Sequence, residues 1–117
     1  MKYKSTHNLD QRISESQRIV SKYPNYVPVI IDFPQTITPQ PKNKFLCPRE
    51  VNFSHLICII RKQLPSIKQS EAIFCFIGNS LVVNSKLVGE IYDEIQEKEK
   101  SHDKFLYVTV SFENTFG

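Results

Sequence analysis

Hydrophobic positions along this chain follow two rhythms, one near 3.6 residues and one of two, and the changes of rhythm mark its elements. Between residues 9 and 22, Leu9, Ile13 and Val20 fall near one face with Ile19 beside them, which predicts an amphipathic helix packed on the body of its domain. Asn8 can cap its start, Asp10 suits the first turn and Lys22 the last. Tyr23-Pro24 ends it, because a residue before proline disfavours the α region. Val27 to Phe33 is β-branched and strand-like, with Pro28 confined to its start or to a position needing no ladder donor. The Pro-, Gln-, Thr- and Asn-rich stretch from Pro34 to Asn43 reads as a loop. It leads to a second strand, Lys44 to Cys47, expected to pair with the first as an antiparallel hairpin.

Asn52 or Ser54 caps a second helix running to about Gln63 or Leu64, with Phe53, Leu56, Ile57, Ile60 and Leu64 at helical spacing. Ala72 to Ile77 is a continuous apolar strand, Gly78-Asn79-Ser80 turns it, and Leu81 to Val83 offers a short return. A third helix covers about Lys86 to Lys98, with Leu87, Ile91 and Ile95 four residues apart, and Lys104 to Phe112 is a last strand. After the first helix this is the α+β, ubiquitin-like β-grasp order: a mixed sheet with a helix crossing one face.

The stretch Lys44-Phe45-Leu46-Cys47-Pro48 stands apart within that order. Strand side chains alternate, so Phe45 and Cys47 point to one face and Leu46 to the other, and both faces are apolar. Lys42 and Lys44 suit a sheet edge, where charge blunts unwanted pairing, and Pro48 stops the ladder. An edge strand with apolar residues on either side is a natural place for an extended peptide to add itself. The ordinary alternative is a strand buried on both sides.

At 117 residues the chain makes one domain, burying about two-thirds of its unfolded surface. No apolar run approaches the roughly 18 residues that span a membrane, and the N-terminus does not read as a secretory signal. The three cysteines, Cys47, Cys58 and Cys75, sit in apolar contexts and read as reduced core or groove residues of an intracellular protein. Neither they nor the scattered histidines suggest a metal site. Charge is divided: residues 1–68 hold eleven Lys/Arg against four Asp/Glu, and residues 69–117 hold four against eight. The basic first half suits acidic peptides, a membrane surface or nucleic acid, or serves only solubility. A nucleic-acid reading would rest on that charge with Tyr23, Tyr26 and Phe33, but no recognition module accompanies them. An enzyme built on Cys47 and His55 has no supporting motif.

Several motifs then agree in order: Lys22-Tyr23-Pro24-Asn25-Tyr26-Val27-Pro28-Val29-Ile30, Lys44-Phe45-Leu46-Cys47-Pro48, Ile60-Arg61-Lys62, Glu71-Ala72-Ile73-Phe74, Phe105-Leu106-Tyr107-Val108 and a terminal Thr115-Phe116-Gly117. From about Tyr3 to Gly117 the chain resembles the autophagy ubiquitin-like modifiers, the GABARAP and autophagy-related protein 8 family. The resemblance implies residues 1–24 as an N-terminal helical extension packed on the body, and residues 25–117 as a ubiquitin-like domain with an exposed tail ending in Gly117. It implies a modifier, not an enzyme, without a cofactor. E1-like and E2-like enzymes would couple Gly117 to phosphatidylethanolamine on autophagic membranes, where the protein recruits cargo receptors and autophagy machinery bearing an aromatic-x-x-aliphatic motif.

Matched residue by residue, the resemblance implies a first pocket for the aromatic from Glu15, Ile19, Pro28, Ile30, Lys44, Leu46 and Phe105. A second, for the aliphatic residue, is implied from Phe45, Cys47, Pro48, Val51, Leu56 and Ile59. Lys42, Lys44 and Arg61 would attract acidic flanking residues. Docking is expected to be weak, about micromolar, strengthened by many copies on one membrane. The protein is expected to be a cytoplasmic monomer in solution, autophagosomal when lipidated, and no nucleic-acid partner is expected. The chain departs from the family at Tyr26, usually basic, at Leu56, usually aromatic, and over Gly78 to Val83, which lacks paired prolines. On this resemblance Gly117 is expected to be ready for coupling, the product being either made so or a processed form. The rival reading is a ubiquitin-like adaptor that binds peptides but is never conjugated.

Overall fold

Two of the described helices start where an asparagine side chain can satisfy their first amides. In the computed structural model, which describes residues 2–64, 72–98 and 103–112, a short helix α1 (Lys2–Thr6) precedes α2 (Leu9–Lys22). Asn8 and Gln11 close a capping box at the start of α2: the Asn8 side chain accepts from the Gln11 N–H at 2.9 Å, and the Gln11 side chain accepts from the Asn8 N–H at 3.0 Å. Asn52 likewise caps α3 (Phe53–Lys62), accepting from the His55 N–H at 3.2 Å. Two further amides of that first turn find carbonyls in a distant loop, Phe53 donating to Lys86 and Ser54 to Asn84. The fourth main helix, α4, spans Val88–Lys98.

The strands β1 (Tyr26–Asp32), β2 (Lys44–Pro48), β3 (Phe74–Ile77), β4 (Ser80–Leu81) and β5 (Leu106–Ser111) form one mixed sheet in the order β2-β1-β5-β3-β4. β1 pairs antiparallel with β2, Val29 opposite Phe45, and parallel with β5, Ile30 opposite Tyr107. β3 runs antiparallel to both β5 and β4. Gly78, at φ 62°, makes the tight β3–β4 turn that a side chain would strain. The α+β, ubiquitin-like β-grasp order read from the sequence is the observed fold.

Alternation assigns the two faces. Val27, Val29, Ile31, Cys47, Leu106, Val108 and Val110 point to one face. There they meet Phe53, Leu56 and Ile60 of α3 and Val88, Ile91 and Tyr92 of α4. Each fully buried aliphatic here is worth about 1.5–3 kcal/mol. Ile30 and Phe105 point to the other face and join Tyr3 of α1, with Ile19 of α2 and Tyr107 packed against them.

Four expectations change. Leu9 is 43% exposed, and the residue α2 buries is Ser16, whose Oγ accepts from the Lys104 N–H at 2.8 Å. A small hydroxyl lets the helix lie close to the chain entering β5. Leu87 is also exposed; it bridges to Asn52, and Val88, fully buried, opens α4 in its place. Lys86 therefore lies outside that helix, where it pairs with Glu94. Cys58 sits on the exposed face of α3, whereas Cys47 and Cys75 are buried. All three are free thiols, and burial pushes Cys47 up to about 11 and Cys75 up to about 12.

Candidate functional site

β2 is an outermost strand of the sheet: its inner side pairs with β1, and no described strand lies on its outer side. The alternation seen in the sequence holds. Phe45 is half-buried against the main core and Cys47 is fully buried in it, while Leu46, on the opposite face, is 41% exposed.

On the Leu46 face the residues implied for the aromatic come together. Ile30 and Phe105 are almost fully buried, Ile19 packs against them, and Pro28 pairs with Leu46 across the hairpin. Glu15 on α2 and Lys44 on β2 form a short ion pair that ties the helix to the edge strand. Tyr3 donates its hydroxyl to the other Glu15 oxygen at 2.8 Å, and the Lys44 ammonium stands 5.3 Å from the Tyr3 ring centre. Burial pushes the Glu15 carboxyl up, but the hydrogen bonds from Lys44 and Tyr3 outweigh it and hold the group below its ordinary value. The Lys44 charge is therefore already shared with Glu15.

Behind this group lies a polar network that sequence reasoning missed. Asp103, 1% exposed, accepts from Arg12 at 2.9 Å, from the Phe105 N–H at 2.8 Å and from the Tyr107 hydroxyl at 2.5 Å. Its backbone carbonyl accepts from Gln96 at 3.2 Å. Burial and the bond to Asp103 push the Tyr107 hydroxyl up. The network ties α2 to the chain entering β5, and so helps hold Ile19 against Phe105. Ninety-one positions separate Arg12 from Asp103, and no local signal could have joined them.

On the Phe45 face, the residues implied for the aliphatic side chain divide by depth. Phe45, Pro48, Val51 and Ile59 are half-buried, whereas Cys47 and Leu56 show no exposed surface. A docked side chain would meet the first four, with Cys47 and Leu56 as packing beneath. Lys42 is exposed with its ammonium 5.2 Å from the Phe45 ring centre, and Arg61 is half-buried in the last turn of α3.

A second hub also went unread. Arg49 follows Pro48, pairs with Asp93 of α4 at 2.5 Å and lies 5.7 Å from the Tyr92 ring centre. The Gly89 N–H donates to the Arg49 carbonyl at 3.0 Å, and a Cβ at Gly89 would stand 2.9 Å from the Arg49 Cβ. Glycine is what lets α4 approach the end of β2 so closely.

The family described as "Autophagy protein Atg8 ubiquitin like" matches residues 11–117. The chain belongs to this family. It is 36% identical to autophagy-related protein 8 of Dictyostelium discoideum, an alignment covering 98% of this chain and 93% of that one. It is 38% identical to autophagy-related protein 8a of Arabidopsis thaliana, covering 98% and 92%. Among solved structures, the crystal structure of Trypanosoma brucei ATG8 superposes with a TM-score of 0.81 at 27% identity, over 100% of this chain and 98% of that one. The likeness is to ubiquitin-like autophagy proteins throughout, and it spans both helices of the N-terminal segment as well as the sheet.

Among the described residues no cluster of His, Cys, Asp and Glu could hold a metal ion, and no helix is long and apolar enough to cross a membrane. Gly117, with Thr115 and Phe116, lies outside the described residues.

Proposed function

We propose that this chain is a ubiquitin-like modifier whose Gly117 carboxylate is activated by an E1-like enzyme, passed to an E2-like enzyme as a thioester, and transferred to the amine of phosphatidylethanolamine. Cytoplasmic as a free monomer, it would then sit on autophagosomal membranes, held by two acyl chains where one would bind only marginally. In both states it would dock cargo receptors and autophagy machinery through an aromatic-x-x-aliphatic motif. In this reading residues 1–24 serve as a helical extension forming one side of the site, and residues 25–117 as the ubiquitin-like body and tail.

One observation carries the docking half of the reading: β2 is an edge strand with apolar groups on both faces. A peptide adding alongside it would gain backbone hydrogen bonds from the edge, while its alternate side chains reach Ile19, Pro28 and Leu46 on one face and Phe45, Val51 and Ile59 on the other. Lys42 and Arg61 would favour acidic residues beside the motif, chiefly by speeding association. The conjugation half rests on family membership and on glycine's lack of a Cβ, which suits a narrow enzyme channel.

Mass spectrometry of the cellular protein, separated into soluble and membrane fractions, tests the conjugation. The expected result is a membrane form carrying phosphatidylethanolamine on Gly117, lost in Gly117→Ala while peptide binding persists. A carboxylate found free in both fractions, even under starvation, would leave the unconjugated adaptor. For docking, Phe45→Ala with Leu46→Ala should abolish most binding of a motif peptide by calorimetry in a domain that still folds; unchanged affinity would overturn the edge-strand site.

A further inference from the structure

Tyr3 belongs to a helix of five residues, yet it is only 6% exposed. Its ring is held on two sides. His7 stacks on it with centroids 4.0 Å apart, and Phe105 meets it edge-on at 5.6 Å. The two neighbours face different spaces. Phe105 belongs, with Ile30 and Ile19, to the group implied for the motif's aromatic residue. His7 lines an open cleft of about 300 Å³ between α1 and the strands, whose other walls include Lys2, Phe33 and Asn43. Tyr3, Ile30 and Lys44 border both spaces. The Tyr3 ring thus packs against the group implied for the aromatic residue with one part and lines the cleft with another, and its bond to Glu15 at 2.8 Å holds it there.

From this partition we infer that Tyr3 sets the depth of the aromatic pocket and so determines the size of aromatic side chain the docked motif can carry. The inference rests on the docking reading above and assigns α1 a part in its specificity. A shorter side chain at position 3 merges pocket and cleft, leaving room for an indole. A longer one makes the pocket shallower. The hydroxyl orients Glu15 but does not fill space, so its loss leaves the depth unchanged.

The test uses two peptides identical except for Phe or Trp at the aromatic position, titrated calorimetrically into the full chain and into Tyr3→Leu, Tyr3→Phe and Tyr3→Trp. A volume change in an apolar pocket is worth at least about tenfold in discrimination. Tyr3→Leu should therefore raise the Trp-to-Phe affinity ratio about tenfold, Tyr3→Phe should leave it within about twofold, and Tyr3→Trp should lower it. A purely structural Tyr3 would weaken both peptides alike, and a ratio that does not follow side-chain size in this series overturns the inference. Should Tyr3→Leu fail to fold, the opposite shift in Tyr3→Trp decides the matter alone. If neither peptide binds the unmodified chain, the docking reading has failed first.

Discussion

The two faces of the sheet are held by different forces. The face under α3 and α4 is an apolar core in which Phe53, Leu56, Ile60, Val88, Leu106 and Val108 are fully buried. The face under α1 and α2 has a small aromatic and aliphatic cluster, tied by directed contacts: Tyr3 to Glu15, Glu15 to Lys44, Arg12 to Asp103 to Tyr107, and Lys104 to Ser16. Hydrophobic burial is non-directional and supplies stability. Ion pairs and hydrogen bonds add little net energy but fix positions. The docking groups proposed at β2 would straddle both: Phe45 and Val51 pack against the stable core, whereas Ile19, Ile30 and Phe105 belong to the cluster that the positioned helices hold.

Substitutions can pull the two faces apart. Phe53→Ala removes a fully buried ring from the main core and should cost about 3–5 kcal/mol of global stability in denaturant unfolding. Asp103→Ala leaves Arg12, whose side chain is 12% exposed, without its carboxylate. It should cost about 3 kcal/mol, and native-state hydrogen exchange should show the loss concentrated in α2 and the start of β5. Exchange rising equally in α3 would mean that the faces are not separable. Gly89→Ala gains helix propensity but forces α4 away from Arg49. We expect a net loss of about 1–2 kcal/mol and a changed environment at Pro48, with no effect on α2.

Acid should act chiefly on the face under α1 and α2, and its effect should be the gentlest. Among the described residues the other depressed carboxyl, Glu94, pairs with Lys86 at the exposed surface of α4. The Glu15 carboxyl is depressed when folded, so its contribution is present above the ordinary carboxylate range and fades as the pH falls through the folded value. Tyr3 keeps its proton because burial and Glu15 push its hydroxyl up. The expected outcome below about pH 4 is loosening of α1 and of the Lys44 tie, seen as shifts in the Tyr3 and Ile30 NMR signals while those of Val108 stay put. Simultaneous change at Val108 would contradict it.

The same division decides what was legible in the sequence. Phe53, Leu56 and Ile60 announce α3 by their spacing, Val27 to Ile31 announce β1 by their branching, and Asn8 and Asn52 mark helix starts, because each signal is local and apolar or a cap. The edge strand was legible too, from the alternation of Phe45, Leu46 and Cys47 ending at Pro48. The second face was not. Ser16 interrupts the apolar stripe of α2 for a contact with Lys104 that only the fold creates, and Leu9 and Leu87 were misplaced because periodicity cannot tell a buried leucine from an exposed one at a helix start. Tyr3 and Asp103 matter through partners 12 and 91 positions away. Arg49 acts through Gly89 and Asp93 on another helix, again beyond any window of sequence.

The sheet offers two edges, and they are unlike: β2 has five residues with apolar groups on both faces, whereas β4 has two, Ser80 and Leu81. Amide hydrogen exchange of the full chain, with and without an aromatic-x-x-aliphatic peptide, distinguishes them in one experiment. Protection gained between Lys44 and Cys47, with none at Ser80 and Leu81, is the predicted result. Bound peptide that leaves Lys44 to Cys47 unprotected, or protects the β4 edge in their place, would contradict docking by strand addition at β2.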